Sequence, residues 1–284
     1  MIRRDFIKVI AASAAVWPVA AIAQKSVRRI GILASFVESD PDAQSYVDAV
    51  VAQLQNLGWT EGRNIHFDYR WDAAERGRAQ ALANELIDLK PDVLVACAGP
   101  AAAALWKATR SIPIVFAQVT DPVALGLATS LSVPGGNATG FTHFEAAIGG
   151  KWLGLLKEIA PNVMRVAVIF DPNNPSYPVY MGNLKSVYPN FGVQLAEHPV
   201  TNAAEIERAL DSFSREPNGG LIVLPNPLTQ KHRDLIIALA ANGPQRMVFV
   251  AGRYCLKQII VNLPFYVSTP LSDAFIWVQR VTAA

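Results

Sequence analysis

The sequence predicts an α/β protein of two lobes, each built on a doubly wound parallel sheet, with a ligand cleft between them. Short apolar runs alternate with helical patterns along most of the chain, which is typical of parallel sheets covered by helices on both faces. The alternation is interrupted once, near residues 134–150, where PGGN at 134–137 indicates a turn. The 284 residues also suit two lobes, because compact domains usually hold about 100–150 residues.

The first lobe is predicted from four apolar runs separated by three helical patterns. Residues 29–36 read RIGILASF, an apolar run without alternation, as expected for a strand buried on both faces. The segment 42–57 has apolar residues at helical spacing and ends before Gly58. The elements expected next are strand 65–71, helix 76–89, strand 92–98, helix 100–109 and strand 114–118.

The second lobe repeats this alternation after the interruption. Its expected elements are helix 152–159, strand 165–170, helix 177–188, strand 193–198, helix 203–213, strand 221–224, helix 231–241 and strand 247–250. We therefore divide the chain into an export signal at 1–23, a first lobe at 27–144 that is completed by 255–284, and a second lobe at 145–254.

The N-terminal segment has the order of features found in bacterial export signals. A basic stretch, RRDFIK at 3–8, precedes an apolar run over 9–23, and its final AIA sequence marks cleavage near Ala23. The run is shorter than the roughly 20 residues that a membrane-spanning helix needs. The stretch 3–8 resembles the twin-arginine export motif, with an ordinary Sec signal as the alternative. By either route we expect a periplasmic protein.

The composition excludes several classes of protein. With 51% hydrophobic and 17% charged residues, the chain is neither disordered nor a coiled coil. The net charge of +2 comes from the export signal, and the remainder has as many acidic as basic side chains. No nucleic-acid partner is expected, because a phosphate-binding surface needs a basic excess. Cys97 and Cys255 either pair in the oxidising periplasm, or Cys97 remains a buried thiol.

Several short motifs in a fixed order resemble one family of proteins. They are GWTEGRN at 58–64, AGPAA at 98–102, IPIVF at 112–116, TDPV at 120–123 and PGGN at 134–137. Together they resemble the ABC transporter substrate-binding family that includes tryptophan- and tyrosine-binding proteins. The resemblance implies the type I periplasmic-binding-protein fold, a small amino-acid-like or carboxylate ligand, delivery to an inner-membrane permease, a monomer and no cofactor.

The loops that follow the predicted strands are the candidate binding loops. Ligands of parallel sheets bind beyond the carboxyl ends of the strands, and proline stiffens most of these loops. The candidate ligand-binding residues are Ser35, Phe36, Ala98, Gly99, Pro100, Ala101, Asp121, Thr142, Asn174, Asn226 and Tyr254. The last is placed in the cleft only by the resemblance, which puts it on a crossover between the lobes.

A zwitterionic amino acid needs donors for its carboxylate and an acceptor for its ammonium group. The start of the helix near Pro100 offers backbone N–H groups and a positive dipole end for the carboxylate, and Arg253 is the alternative donor. Asp121 either pairs with the ammonium group or caps a helix that starts at Pro122. Phe36 is expected to stack on an apolar ligand.

Two other functions remain as alternatives to transport. An exported ligand sensor for a membrane receptor would use the same fold and cleft. A periplasmic enzyme is the weaker alternative, because the sequence contains no H-E-x-x-H zinc motif, no G-x-S-x-G nucleophile elbow and no glycine-rich nucleotide-binding motif.

The resemblance weakens after residue 241. A glycine-rich pattern expected near 257–263 is missing, and a helix is expected near 272–281 where the family would add a further strand after it. A truncated, frameshifted or divergent C-terminus would each explain this departure.

Overall fold

Two parallel sheets form the centres of the two lobes. The structure, a computed structural model, describes residues 27–142, 148–242, 248–251 and 277–279. Within these residues the first sheet has the strand order β2-β1-β3-β4-β5, and the second has the order β10-β9-β8-β6-β7. The α/β fold class with doubly wound sheets, predicted from the alternation, is confirmed. The export signal at 1–23 lies outside the described residues.

The described part of the first lobe contains five strands and three helices. In chain order the elements are β1 (Arg28–Ala34), α1 (Pro41–Asn56), β2 (Ile65–Trp71), α2 (Arg78–Asp88), β3 (Val93–Cys97), α3 (Gly99–Ala108), β4 (Ile114–Val119) and β5 (Ala138–Thr142). All of these strands pair in parallel. Helices cover both sheet faces, and the buried core residues form one cluster on each face.

The second lobe repeats this plan. Its elements are α4 (Ile148–Ile159), β6 (Arg165–Phe170), α5 (Tyr177–Val187), β7 (Gln194–Pro199), α6 (Ala203–Phe213), β8 (Gly219–Val223), α7 (Pro227–Lys231), α8 (Arg233–Asn242), β9 (Val248–Ala251) and β10 (Trp277–Gln279). Strand β10 is antiparallel to β9, whereas the other described pairs of this sheet are parallel.

Local sequence signals explain where several helices begin. Asp40 precedes Pro41 and accepts a hydrogen bond from the N–H of Asp42 at 3.0 Å, as a helix N-cap does. Asn202 caps α6 in the same way through the N–H of Glu205, also at 3.0 Å. These side chains satisfy N–H groups that the first helical turn leaves unpaired, so they fix the starts of the helices.

The structure differs from the predicted elements in the first lobe at two places. Strand β5 was not predicted, because its sequence ATGFT is short and contains a glycine. Gly140 is required there, since a Cβ atom at this position would collide with the carbonyl oxygen of Phe116 on β4. The helix expected to start at Pro122 was wrong, and residues 122–126 form hydrogen-bonded turns instead.

The second lobe differs at two further places. The helix expected at 231–241 was wrong in its bounds, because a capping box between Asn226 and Thr229 starts α7 at Pro227 and His232 then separates α7 from α8. The prediction of a helix near 272–281 was also wrong at Trp277–Gln279. These three residues form a strand, in keeping with the preference of aromatic and β-branched residues for strands.

The division of the chain into lobes at 27–144 and 145–254 stays a prediction. Of the segment 255–284, the described residues Trp277–Gln279 belong to the second sheet, while the prediction had assigned this segment to the first lobe. The rest of that segment, which includes Cys255 and the glycine-poor stretch 257–263, lies outside the described residues.

Candidate ligand-binding cleft

A small cavity lies between the two lobes, beyond the carboxyl ends of their strands. Its volume is about 20 Å³, enough for about one water molecule. The lobes therefore meet almost directly across the cleft. The lining residues from the first lobe are Phe36, Ala98, Gly99, Gln118 and Thr120, and those from the second lobe are Asn174, Ser176, Pro225, Asn226, Pro227 and Gln230.

The end of β3 supplies the backbone of the first lobe's binding loop. Ala98 has φ +79° and ψ 162°, a combination that glycine adopts with ease and alanine does not. Its N–H donates to the carbonyl of Ala117 on β4 at 3.0 Å, which holds this backbone in place. Helix α3 starts immediately afterwards at Gly99, and no side chain caps it. The N–H groups of its first turn therefore lie at the edge of the cavity, as anion-binding helix ends do.

Gly99 is also the point where α3 approaches the second lobe. A Cβ atom at this position would lie 3.2 Å from the hydroxyl oxygen of Ser176, so a side chain here would press on the facing loop of the second lobe. Two of the candidate residues, Ala98 and Gly99, line the cavity. Pro100 and Ala101 follow in α3 and do not line the cavity.

Phe36 reaches the cavity from the loop after β1, and Ser35 supports that loop from behind. The Ser35 hydroxyl donates to Oδ2 of Asp72 at 2.6 Å, and Oδ1 of Asp72 accepts from the N–H of Ala74 at 2.8 Å. Burial raises the pKa of Asp72, and the opposing hydrogen bond from Ser35 does not cancel this effect. Ser35, which is fully buried, is thus a loop-supporting residue in this structure rather than part of the cavity wall.

Gln118 and Thr120, at the end of β4, line the cavity but were missed by the sequence analysis. The Thr120 hydroxyl lies 2.7 Å from the phenol oxygen of Tyr180 on α5, which joins the two lobes directly. Gln118 has φ +60°. The sequence signal for both is their position at the end of a predicted strand, where Gln118 precedes the TDPV motif at 120–123 and Thr120 begins it.

The second lobe contributes two asparagines that the sequence predicted, and both also hold their own loops. Oδ1 of Asn174 accepts from the N–H of Ser176 at 2.9 Å. Oδ1 of Asn226 accepts from the N–H of Thr229 at 3.0 Å, and its Nδ2 donates to the carbonyl of Leu224 at 3.1 Å. These bonds fix both amides at the edge of the cavity.

A cluster of polar contacts beside the cavity fastens the lobes together. Oδ2 of Asp40 accepts from Nε2 of Gln230 at 3.0 Å and from a guanidinium nitrogen of Arg233 at 2.7 Å. Nζ of Lys231 donates to the carbonyl of Ala73 at 3.1 Å. Burial by itself would raise the pKa of Asp40, but the hydrogen bonds from Gln230 and Arg233 outweigh it and hold the pKa below its usual value. The carboxylate therefore stays ionised in the closed cleft.

Two other predicted site residues, Asp121 and Thr142, do not line the cavity. Oδ1 of Asp121 accepts hydrogen bonds from the N–H groups of Val123 and Ala124 at 3.1 and 2.9 Å. Asp121 therefore caps a turn, whereas the capping alternative had expected a helix. Thr142 is exposed on β5. Tyr254 and Arg253 lie outside the described residues.

Cys97 is buried at the end of β3, where burial raises the pKa of its thiol to about 11 and makes it unreactive.

The described residues offer neither a metal site nor a membrane anchor. Across 27–142, 148–242 and the two short described strands, no group of three or more His, Cys, Asp or Glu side chains converges as metal ligands do. Within that same part of the chain, every helix is too short or too polar to cross a bilayer.

The two lobes and the cleft define a two-lobed binding protein of the type I periplasmic kind. The model of one family, described as ABC transporter substrate binding protein, matches residues 29–250. The chain belongs to this family, so the resemblance seen in its motifs is confirmed. Family membership also confirms the expectation of a binding protein rather than an enzyme.

Three relatives illustrate the range of similarity. A tyrosine-binding protein of Clostridioides difficile (strain R20291) is 27% identical over 213 residues, which cover 73% of this chain and 61% of that protein. The chain thus matches less than two thirds of the length of this curated relative. A conserved domain protein from Vibrio cholerae superposes with a TM-score of 0.72 at 25% identity, covering 81% of this chain and 80% of the other. An ABC domain in complex with L-Trp from Streptococcus pneumoniae superposes at 0.71 and 18% identity, with the same coverage.

Proposed function

We propose that this protein is the exported solute-binding component of an ABC importer. It binds a small amino-acid-like or carboxylate ligand between its lobes and delivers the ligand to a permease in the inner membrane, and it acts as a monomer. The observation that carries this proposal is the inter-lobe cavity, which strand ends and helix starts from both lobes line. The names of the tyrosine-binding relative and of the L-Trp complex support an amino acid as the ligand.

Ligand entry requires the lobes to separate. Typical ligand sites measure about 300–1,000 Å³, far more than the present cavity of about 20 Å³. The contacts of Asp40 with Arg233 and of Thr120 with Tyr180 form when the lobes close. A ligand that bridges the lobes adds to these contacts and shifts the population toward a closed, ligand-filled form, which is the form that a permease can distinguish.

Binding is tested by a thermal-shift screen of the mature protein against the twenty amino acids and a panel of small organic acids, followed by calorimetric titration of each hit. A true ligand raises the melting temperature further with each tenfold increase in its concentration, because stabilisation grows with the logarithm of the concentration and reaches about 2.7 kcal/mol at a hundredfold excess over Kd. Gly99→Val is the matched variant and should reduce the shift, since a Cβ atom at this cavity-lining position would already lie 3.2 Å from the Ser176 hydroxyl oxygen of the other lobe. A screen without any hit contradicts the proposal.

Export is tested separately from binding. The stretch RRDFIK at 3–8 supports the twin-arginine route, which does not accept paired lysines in place of the two arginines. Replacing Arg3 and Arg4 by lysine should therefore retain the protein in the cytoplasm on cell fractionation. Unchanged periplasmic levels in this variant would indicate the Sec route, and a wild-type protein found in the cytoplasm would contradict export.

A further inference from the structure

The end of β4 has a backbone irregularity that turns one side chain toward the cavity. The pairing of β4 with β5 shifts register between Ala117 and Val119, and Gln118 lies at this shift with φ +60°. Such bulges redirect side chains and are frequent beside binding sites. A left-handed conformation at a residue other than glycine or asparagine is strained, and it persists where the surrounding structure or the function requires it.

The side chain of Gln118 holds an acceptor that the protein itself does not use. Its Oε1 atom is buried and has no hydrogen-bond partner. The two asparagines of the cavity differ in this respect, because Oδ1 of Asn174 and Oδ1 of Asn226 each accept from a backbone N–H. Gln118 thus provides the one buried side-chain oxygen that lacks a partner among the described residues lining the cavity. Buried acceptors are rarely left unpaired, so a donor from outside the chain is the natural partner.

The charge of the cavity wall identifies the donor that the ligand must carry. None of the described lining residues has a charged side chain. The nearby carboxylate of Asp121 already accepts hydrogen bonds from two backbone N–H groups. The uncapped start of α3 at Gly99 provides N–H groups suited to a carboxylate. The ammonium group of an amino acid must then be met by a neutral oxygen.

Resting on the proposed function, we propose that Oε1 of Gln118 accepts a hydrogen bond from the ammonium group of the ligand. Gln118 thereby selects zwitterionic α-amino acids over simple carboxylates of the same size. A carboxylate without the ammonium group would leave this oxygen unpaired in the closed cleft, while its own carboxylate would still meet the start of α3.

The test compares an amino acid with its analogue that lacks the ammonium group. The probe pairs are L-tyrosine with 3-(4-hydroxyphenyl)propanoate and L-tryptophan with indole-3-propanoate, and any other amino acid found in the screen is paired in the same way. Calorimetry is performed on the wild-type protein, Gln118→Met and Gln118→Glu. Methionine keeps the length of the side chain without its amide, and glutamate keeps an acceptor. Gln194→Met, an identical change at an exposed position of β7, is the control.

The expected result is a loss of discrimination rather than a general loss of binding. Gln118→Met should weaken the amino acid about tenfold or more while changing the analogue by less than about threefold, and Gln118→Glu should bind the amino acid at least as well as Gln118→Met does and reject the analogue more strongly. Equal losses for both probes in Gln118→Met, with an intact melting curve, would overturn the inference and leave the proposed function standing. A wild-type protein that binds no amino acid in the panel would overturn both.

Discussion

Oδ2 of Asp40, in the first lobe, lies 2.7 Å from a guanidinium nitrogen of Arg233, in the second lobe, although 193 positions separate them in the sequence. Asp40 also caps α1 through its Oδ1 atom, so one carboxylate fixes a helix start and fastens the lobes at the same time. The contact therefore joins the lobes beside a cavity of about 20 Å³.

Replacing Arg233 by methionine should open the ligand-free protein. The change leaves the carboxylate of Asp40 without its charged partner in a closed cleft, whereas water reaches the carboxylate in an open one. We expect the closed-to-open ratio to fall by roughly fivefold, equivalent to about 1 kcal/mol, and the radius of gyration in X-ray scattering to increase. Arg215→Met is the control, because Arg215 pairs with Asp211 inside the second lobe. Identical scattering from the two variants would show that the inter-lobe pair contributes nothing to closure.

Lowering the pH should weaken the same contact. The pKa of Asp40 is lowered in the closed form, so its contribution to closure is fully present above the ordinary Asp pKa, near 3.9. The contribution is lost as the pH falls through the lowered pKa of the closed form. Scattering between pH 7 and pH 3 should show opening in the acid range. Asp40→Asn has no carboxyl group at this position, and a pH profile equal to that of the wild type would contradict the prediction.

Replacing Ala98 by glycine should stabilise the protein. Its φ of +79° with ψ of 162° places alanine in a region that costs about 1–3 kcal/mol for residues with a side chain. We expect the denaturant midpoint to rise by an amount equivalent to about 1 kcal/mol. Ala52→Gly, at an exposed helical position of α1, should instead lose about 1 kcal/mol. Two variants that are destabilised alike would show that Ala98 carries no backbone strain.

Replacing Gly140 by alanine should destabilise the first lobe. A Cβ atom at this position would collide with the carbonyl oxygen of Phe116, so β5 must move away from β4 at a cost of about 1–3 kcal/mol or more. Gly182→Ala is the matched control, because no atom lies within 4 Å of a Cβ at that position of α5. It should stabilise by about 0.5–1 kcal/mol. Chemical denaturation of both variants provides the measurement, and a tolerated alanine at position 140 would argue against the pairing of β4 and β5.

Replacing Asp121 by alanine should affect stability more than ligand binding. Its carboxylate caps the turn at Val123 and Ala124, and loss of a cap costs about 1 kcal/mol. Affinity for the amino acid should change by less than about threefold. A thermal melt and a calorimetric titration on the same sample separate the two effects. A large loss of affinity with an unchanged melting temperature would restore the ammonium-binding role that the sequence suggested.

The alternation of strands and helices, the family, and the cavity-lining loops at Phe36, Ala98 and Asn174 could all be predicted from the amino-acid sequence. These features depend on residues that are close in the sequence. Apolar runs, helical spacing of apolar residues and prolines at strand ends are all visible within a few consecutive positions. Which strand-end side chain faces the cavity depends instead on contacts between distant parts of the chain. Gln118 lies at a register shift between β4 and β5 and lines the cavity. The carboxylate of Asp121, three positions later, accepts hydrogen bonds from the N–H groups of its own turn. The pairing of Asp40 with Arg233 could not be predicted from the sequence either, because the two residues belong to different lobes and meet only where the lobes contact each other.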